Sequence, residues 1–205
     1  MSRWQYELFY GRAERAEDLP WHLPDPPGLL REVLAHRGGR RARALDLGCG
    51  AGFHAIHLAQ AGYEVTAIDF MPQAVDMAAK EAARAGVDLE ILQADVLSWA
   101  SAHAFDLILD SGCLHSLARR DRGQYRDNLL GWLADEGDFV LVHFEKRHAL
   151  DWRPVGPRRF EEPAITGLFD PPLHRRGHTV ETMATPLPIG PRVQLGTYWF
   201  SRSPG

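Results

Sequence analysis

The sequence predicts an α/β protein of the Rossmann-like, doubly wound type. Its sheet should be mostly parallel with an antiparallel C-terminal edge strand, and an N-terminal helical lid should precede it. Short apolar runs of strand length alternate with segments of helical period between residues 44 and 143, a pattern that implies βαβ units and a parallel sheet. Two strand-like runs then follow, joined by a connection too short for a helix, so they should pair antiparallel at one sheet edge.

The central segment contains five strand-like runs and three helical ones. The apolar runs are residues 44–47, 64–68, 89–93, 105–109 and 139–143, and the helical runs are residues 54–61, 72–85 and 121–133. Residues 178–185 and 194–201 are the two C-terminal strands, with the proline-rich residues 186–191 between them.

Residues 1–42 precede this pattern and form a lid and connector within the same domain as residues 43–205. Helical spacing over residues 3–18 predicts a short amphipathic helix. Four prolines in residues 19–28 predict an extended connector, and a second helix over 29–36 should stop at Gly38 and Gly39.

Composition excludes several classes of protein. The chain has 205 residues, a formal net charge of −4 and two cysteines, Cys49 and Cys113, which favours one ordinary domain without a disulfide framework. The absence of a clustered basic face disfavours a nucleic-acid partner. No uncharged apolar run approaches the length of about 18 residues that a membrane helix needs, so we expect a cytoplasmic protein without a membrane partner.

A glycine-rich turn after the first strand is the most informative segment. Asp46 ends the strand, and Gly48, Gly50 and Gly52 follow at alternate positions before a helix. Missing side chains let a ligand approach bare backbone there. The dinucleotide pattern G-x-G-x-x-A can be placed on residues 50–55, which leaves an NAD(P)-dependent oxidoreductase open. Against it, the Asp46 carboxylate repels a pyrophosphate and suits a ligand with a cationic head.

Residues 46–52 read DLGCGAG and resemble motif I, D-x-G-x-G-x-G, of the class I S-adenosylmethionine-dependent methyltransferases. The resemblance covers about residues 44–143 and implies S-adenosylmethionine as cofactor, with S-adenosylhomocysteine as product. It implies a cofactor site made by Asp46, Gly48, Cys49, Gly50, Gly52, Asp69, Phe70, Met71, Asp95, Val96, Asp110 and Ser111.

Two further acids follow strands of the predicted sheet. Asp69 ends the second strand, where a carboxylate accepts both ribose hydroxyl protons, a role shared by nucleotides and S-adenosylmethionine. Phe70 and Met71 should wall the adenine. Asp95, followed by Val96, resembles the family position that accepts from the adenine amine, and a helix N-cap is the alternative role for it.

The loop after the fourth strand, residues 110–115, should border the acceptor. His115 is the candidate base or acceptor-orienting residue, since an unperturbed pKa near 6.5 leaves it mostly neutral at cytosolic pH. A polar loop histidine without a chemical role is the alternative, because alignment alone supplies much of the rate in many methyltransferases. Cys113 is a further acceptor-side residue, although both cysteines also suit simple packing.

The N-terminal segment resembles the aromatic-rich lid of thiopurine methyltransferase-like and tellurite-resistance-like enzymes. Tyr6, Tyr10 and Trp21 are its candidate acceptor contacts, and the alternative is that the aromatic residues only fasten the lid to the sheet. We expect no metal site, because His54 and His57 lack further ligands at familiar spacing.

These observations predict methyl transfer to S, O or N of a small-molecule acceptor, by a monomer or homodimer. The alternative is the NAD(P)-dependent oxidoreductase that uses residues 50–55.

Overall fold

The computed structural model describes residues 3–22, 25–37, 42–146, 151, 158–184 and 192–202. Within them, seven strands form a sheet in the order β3-β2-β1-β4-β5-β7-β6. The strands are β1 (Arg43–Leu47), β2 (Glu64–Asp69), β3 (Glu90–Gln93), β4 (Phe105–Ser111), β5 (Leu133–Glu145), β6 (Leu173–Ala184) and β7 (Arg192–Arg202).

Strand pairing confirms the predicted fold class. The first five strands pair in parallel, whereas β7 pairs antiparallel with both β5 and β6. The last strand lies between β5 and β6, so the antiparallel edge of the sheet is β6 rather than the C-terminal strand itself. Strand order reverses between β1 and β4, and a ligand crevice is expected beyond the carboxyl ends of the strands at such a point.

Helices cover both faces of the sheet. They are α1 (Arg3–Tyr10), α2 (Gly28–Arg37), α3 (Phe53–Gln60), α4 (Pro72–Ala85), α5 (Arg122–Trp132) and α6 (Glu162–Phe169). Buried side chains of α2, α3 and α4 pack on one face, and those of α5 and α6 pack on the other. Pro72 occupies the first turn of α4, as predicted.

The N-terminal segment is divided rather than one helix over residues 3–18. Helix α1 stops before Gly11, and a short 3-10 helix follows at Ala16–Asp18. The Asp18 carboxylate accepts hydrogen bonds of 3.0 Å from the backbone N–H groups of Glu14 and Arg15. These bonds stabilise a turn in place of a continued helix.

Strand β5 is longer than its apolar run predicted. The buried run over residues 139–143 is its centre, but the strand also includes the polar residues before it. Trp199 of β7 donates from Nε1 to Asp138 at 2.8 Å, so the antiparallel neighbour supports the polar beginning of β5.

Some predictions lie outside the described residues, namely the helix stop at Gly38 and Gly39 and the connection over residues 186–191. In the ranges that are described, no helix is long and apolar enough to cross a membrane.

Candidate active site

A cavity of about 440 Å³ lies at the reversal of strand order. We call the part lined by Asp46, residues 48–51, Asp69 and Asp95 the cofactor half. The part lined by residues 111–113, residues 115–117, residues 142–144, Val193 and Leu195 is the acceptor half. The fold thus joins both predicted sites in one cavity, of a size typical for small ligands.

The three glycines of the turn all have left-handed backbone conformations. Gly48, Gly50 and Gly52 have φ angles of 67°, 56° and 83°, which strain any residue with a Cβ. A Cβ on Gly50 would lie 3.1 Å from the Tyr10 hydroxyl, and one on Gly52 would lie 3.1 Å from the Cβ of Ala78 in α4. Gly48 and Gly50 line the cavity, whereas Gly52 instead permits close packing of the turn on α4.

Asp46 is a buried carboxylate with one unused oxygen. Its side chain is 1% exposed, and Oδ2 has no hydrogen-bond partner. Burial, followed by the nearby Asp110 and Asp69 carboxylates, raises the pKa of Asp46 to about 8. A buried carboxylate without a counter-charge gains most from a cationic ligand.

Asp69 combines a local structural role with access to the cavity. Its Oδ2 accepts from the Gly50 N–H at 3.0 Å, and its Oδ1 accepts from the Met71 N–H at 2.9 Å. Burial raises the pKa of Asp69, and the same backbone donors oppose that shift. Each oxygen retains a lone pair for a further donor.

The remaining predicted adenine contacts also line the cavity. Met71 and Val96 are buried and Phe70 is partly exposed. Asp95 accepts from the Leu97 N–H at 2.9 Å and closes a turn, so its local role is turn formation rather than the helix N-cap considered above. The Oδ2 atom of Asp95 accepts no such hydrogen bond from a backbone N–H group in the described part of the chain.

Asp110 is predicted to contact the cofactor, but the structure does not bring it to the cavity. Its Oδ1 accepts from the N–H groups of Gly112 and Cys113, and its Oδ2 accepts from the Leu114 N–H and the Tyr125 hydroxyl. Burial raises its pKa to about 6 against these donors. Four hydrogen bonds make this carboxylate an organiser of the acceptor-side loop.

His115 lines the acceptor half from the 3-10 helix Leu114–Ser116. Burial, with a further effect of the nearby His143, lowers the pKa of His115 to about 3. The ring is therefore neutral, as expected, but it is a much weaker base than an imidazole with a pKa near 6.5, because burial removes it from water without a counter-charge. Its Nδ1 is buried without a hydrogen-bond partner.

Sequence analysis did not predict His143 as a site residue and discounted His54 as a metal ligand, yet both line the cavity. His143, near the end of β5, is 1% exposed and neither ring nitrogen has a hydrogen-bond partner. His54, in the first turn of α3, contacts the Ser111 hydroxyl through Nε2 at 3.0 Å, and its Nδ1 has no partner. Burial lowers their pKa values to about 3 and about 4. A polar residue at the carboxyl end of a buried strand was the available signal for His143.

The cysteines behave as packing groups. Burial raises the pKa of both Cys49 and Cys113 well above that of a free thiol, so neither provides a thiolate near neutral pH. In the described residues, no group of three or more His, Cys, Asp or Glu side chains is arranged to hold a metal ion.

The predicted lid residues meet at the cavity. The Trp21 ring makes edge contacts with Tyr6 and Tyr10 at centroid distances of 5.5 and 5.7 Å. The Tyr6 hydroxyl is hydrogen-bonded to Ser116 at 2.8 Å. All three residues line the cavity. Tyr6 also fastens the lid to the acceptor-side loop, whereas Tyr10 and Trp21 pack beside Gly50 of the glycine turn.

Fold and site together define a Rossmann-like protein with a carboxylate-lined cavity at the carboxyl ends of β1 and β2. A family model described as a methyltransferase domain matches residues 44–137. The chain is 28% identical over 161 residues to a 2-heptyl-1-hydroxyquinolin-4(1H)-one methyltransferase of Mycobacteroides abscessus, covering 75% of this chain and 70% of that one. It is 31% identical over 122 residues to an uncharacterized methyltransferase of Schizosaccharomyces pombe, covering 58% of this chain and 83% of the relative.

A tRNA1(Val) (adenine(37)-N6)-methyltransferase of Glaesserella parasuis is 34% identical over 128 residues. The match covers 60% of this chain and about half (52%) of that relative. Among solved structures, the N-methyltransferase NodS of Bradyrhizobium japonicum with S-adenosylhomocysteine superposes with a TM-score of 0.71 at 21% identity, over 98% of both chains. The chain belongs to the class I S-adenosylmethionine-dependent methyltransferases, and S-adenosylmethionine is its cofactor.

Proposed function

We propose that this methyltransferase acts on an O, N or S atom of a small-molecule acceptor. The observation that carries the proposal is the continuous cavity, in which a carboxylate-lined half adjoins an uncharged polar half beneath an aromatic lid. A lid that adjoins both halves suits an acceptor small enough to be enclosed with the cofactor and kept from water.

The cofactor half fits S-adenosylmethionine by its chemistry. The unpartnered Oδ2 of Asp46 suits the α-ammonium group, and the remaining lone pairs of Asp69 suit the ribose hydroxyls. Asp95, with the walls made by Met71 and Val96, suits the adenine. Gly48 and Gly50 leave bare backbone against which the ligand lies.

The acceptor half supplies hydrogen bonds that position the acceptor. When bound, S-adenosylmethionine supplies a methyl group on a sulfonium sulfur, which transfers to the acceptor and leaves S-adenosylhomocysteine. His115 is neutral at physiological pH, because burial lowers its pKa to about 3. One of its ring nitrogens is therefore free to accept a hydrogen bond that orients the acceptor. A pKa this low makes the ring a poor base, so the proton released on transfer passes to water.

A small molecule is favoured over a nucleic acid as the acceptor. In the described part of the cavity, no Lys or Arg side chain forms the lining, and the chain carries a net charge of −4. Phosphate groups need cationic partners for binding. We propose a monomer or homodimer with no nucleic-acid or membrane partner.

Calorimetry with the purified full chain tests the cofactor assignment. We expect micromolar binding of S-adenosylhomocysteine and no heat from NADH or NADPH. The reverse result would establish the oxidoreductase alternative that uses residues 50–55. An assay of S-adenosylhomocysteine formation across a panel of small phenols, amines and thiols then identifies the acceptor atom, and activity only on RNA would overturn the small-molecule proposal.

A further inference from the structure

The described lining of the acceptor half contains polar side chains but no charged one. The nearest described cation, Arg158, is exposed and donates to the Leu117 carbonyl from outside the lining. The polar groups of this half are imidazoles, hydroxyls and the Cys113 thiol, and the carboxylates of the described lining belong to the cofactor half. Burial keeps the imidazoles neutral and the thiol protonated. A charged acceptor would therefore lose its hydration in this half without contacting a counter-ion in the lining.

His143 is the polar group with the most unused hydrogen-bonding capacity. It is more than nine-tenths buried and lines the cavity, and neither ring nitrogen makes a hydrogen bond of good geometry. The Phe144 backbone opposes only part of the fall in its pKa. The His143 ring is fixed by stacking on Tyr198, at a centroid distance of 5.7 Å, and by Phe160 at 5.4 Å. A neutral imidazole offers one donor and one acceptor, and burial without partners makes both costly until a ligand supplies them.

His54 and His115 add to the same pattern. Each is more than nine-tenths buried and each has an unpartnered Nδ1. Three neutral imidazoles around one space provide several hydrogen-bonding sites without providing charge. Such a surface is complementary to a molecule that carries both donor and acceptor groups on its edge.

The walls between these groups are apolar and partly aromatic. Phe144 packs against His115 at a centroid distance of 5.4 Å, and Val142 and Leu195 line the same half. On the lid side, Tyr6 lies edge-on to Phe70 at 6.3 Å. Flat rings pack well between aromatic and branched side chains, so the body of the ligand should be a planar ring system.

We propose that the acceptor is an uncharged, planar ring compound with an O–H or N–H group, such as a phenol or a hydroxylated nitrogen heterocycle, and that His143 determines this specificity. The inference rests on the proposed function and identifies the substrate class for the same site. His143 acts by hydrogen-bonding the edge of the acceptor, and no role in holding the cofactor is assigned to it.

Three naphthalene probes of similar size test the charge selectivity. The full chain is saturated with S-adenosylhomocysteine and titrated at pH 7.5 with 2-naphthol, 2-naphthoate and 2-naphthylmethylammonium by calorimetry. We expect 2-naphthol to bind at least tenfold more tightly than either charged probe. Equal or tighter binding of a charged probe, or no binding of 2-naphthol at millimolar concentration, overturns the inference.

Variants of His143 test its part in the selectivity. We expect His143→Phe to weaken 2-naphthol binding at least fivefold with unchanged S-adenosylhomocysteine affinity, and His143→Gln to retain most of the binding. His174→Phe is the matched control, because His174 is an exposed strand histidine. Unchanged 2-naphthol affinity in His143→Phe contradicts the specificity role, and so does an equal loss of cofactor affinity in both His143 variants.

The cofactor titration separates this inference from the proposed function. A wild-type chain that fails to bind S-adenosylhomocysteine contradicts the proposed function itself. A chain that binds it but prefers a charged probe leaves methyl transfer standing and overturns only the neutral acceptor.

Discussion

The two halves of the cavity carry buried ionisable groups whose pKa values shift in opposite directions for one reason. Burial raises the pKa of Asp46 to about 8 in the cofactor half and lowers the pKa of His143 to about 3 in the acceptor half. In both halves the charged form lacks a counter-ion. The difference supports the two proposals, in which a cationic ligand group binds in the cofactor half and an uncharged acceptor binds in the acceptor half.

The largest expected effect comes from Asp110, the carboxylate between the two halves whose hydrogen bonds are all made by the protein. Asp110→Asn replaces an acceptor of four hydrogen bonds by an amide whose NH₂ group faces donors. We expect a loss of about 4 kcal/mol in the free energy of unfolding. Urea denaturation measures it.

Tyr125→Phe is the control for Asp110, since it removes one of the four bonds and should cost about 1 kcal/mol. A smaller loss in Asp110→Asn than in Tyr125→Phe would show that the four hydrogen bonds to Asp110 do not stabilise the fold. Asp110 would then be no better satisfied than Asp46.

The next largest effect is expected from Asp46→Asn, which should stabilise the cofactor-free protein and weaken cofactor binding. The raised pKa means that Asp46 makes the cofactor-free protein less stable as pH rises from about 4 to about 8. We therefore expect Asp46→Asn to raise the free energy of unfolding at pH 8 by about 3 kcal/mol. The same variant should bind S-adenosylhomocysteine at least about tenfold more weakly, because a charge-assisted bond is lost.

Urea denaturation at pH 5 and pH 8 and calorimetry measure these two changes. Asp88→Asn is the control, because Asp88 is exposed. Wild-type cofactor affinity in the Asp46→Asn variant would show that Asp46 does not bind a cationic group of the cofactor.

The acceptor half should respond to acid instead. A buried histidine with a lowered pKa carries no penalty above the unfolded value of about 6.5, where it is neutral in both states. As pH falls further, the unfolded chain binds a proton that the folded protein excludes, so stability decreases. We expect the wild type to lose stability between pH 6.5 and pH 4, and His143→Gln to lose about 2 kcal/mol less over that range.

Urea denaturation at several pH values provides the measurement for His143, with the exposed His174→Gln as its control. Parallel pH profiles of wild type and His143→Gln would show that His143 is not buried as a neutral ring.

The smallest expected effect concerns the contact between the lid and the acceptor half. Tyr6→Phe removes the hydrogen bond to Ser116 and should cost about 1 kcal/mol. A double-mutant cycle with Ser116→Ala, measured by urea denaturation, isolates this bond. A coupling energy of zero would mean that aromatic packing alone holds the lid.

The residues predicted for the cofactor half mostly line one cavity, and they could be found from the sequence because their signals are local. Asp46 and Asp69 each end a buried strand, and the glycines of the intervening turn need backbone conformations that other residues rarely adopt. Parallel strands place their carboxyl ends at one edge of the sheet, so strand-end position alone brings these carboxylates together.

The acceptor half was harder to predict because its properties arise from distant contacts. The low pKa of His115 depends on burial against Phe144 and on the nearby His143, which belong to another strand. Asp110 resembled Asp46 in sequence, and only the folded loop and Tyr125 show that its oxygens are already occupied.

The sequence by itself determined the strand and helix alternation, the glycine turn and the carboxylates at the strand ends, because backbone preference and side-chain period act over a few residues. Tertiary structure alone decided which carboxylate keeps a free oxygen and which histidines become neutral and unpartnered. Those properties depend on desolvation and on donors from segments far apart in the chain, and neither is encoded in local sequence.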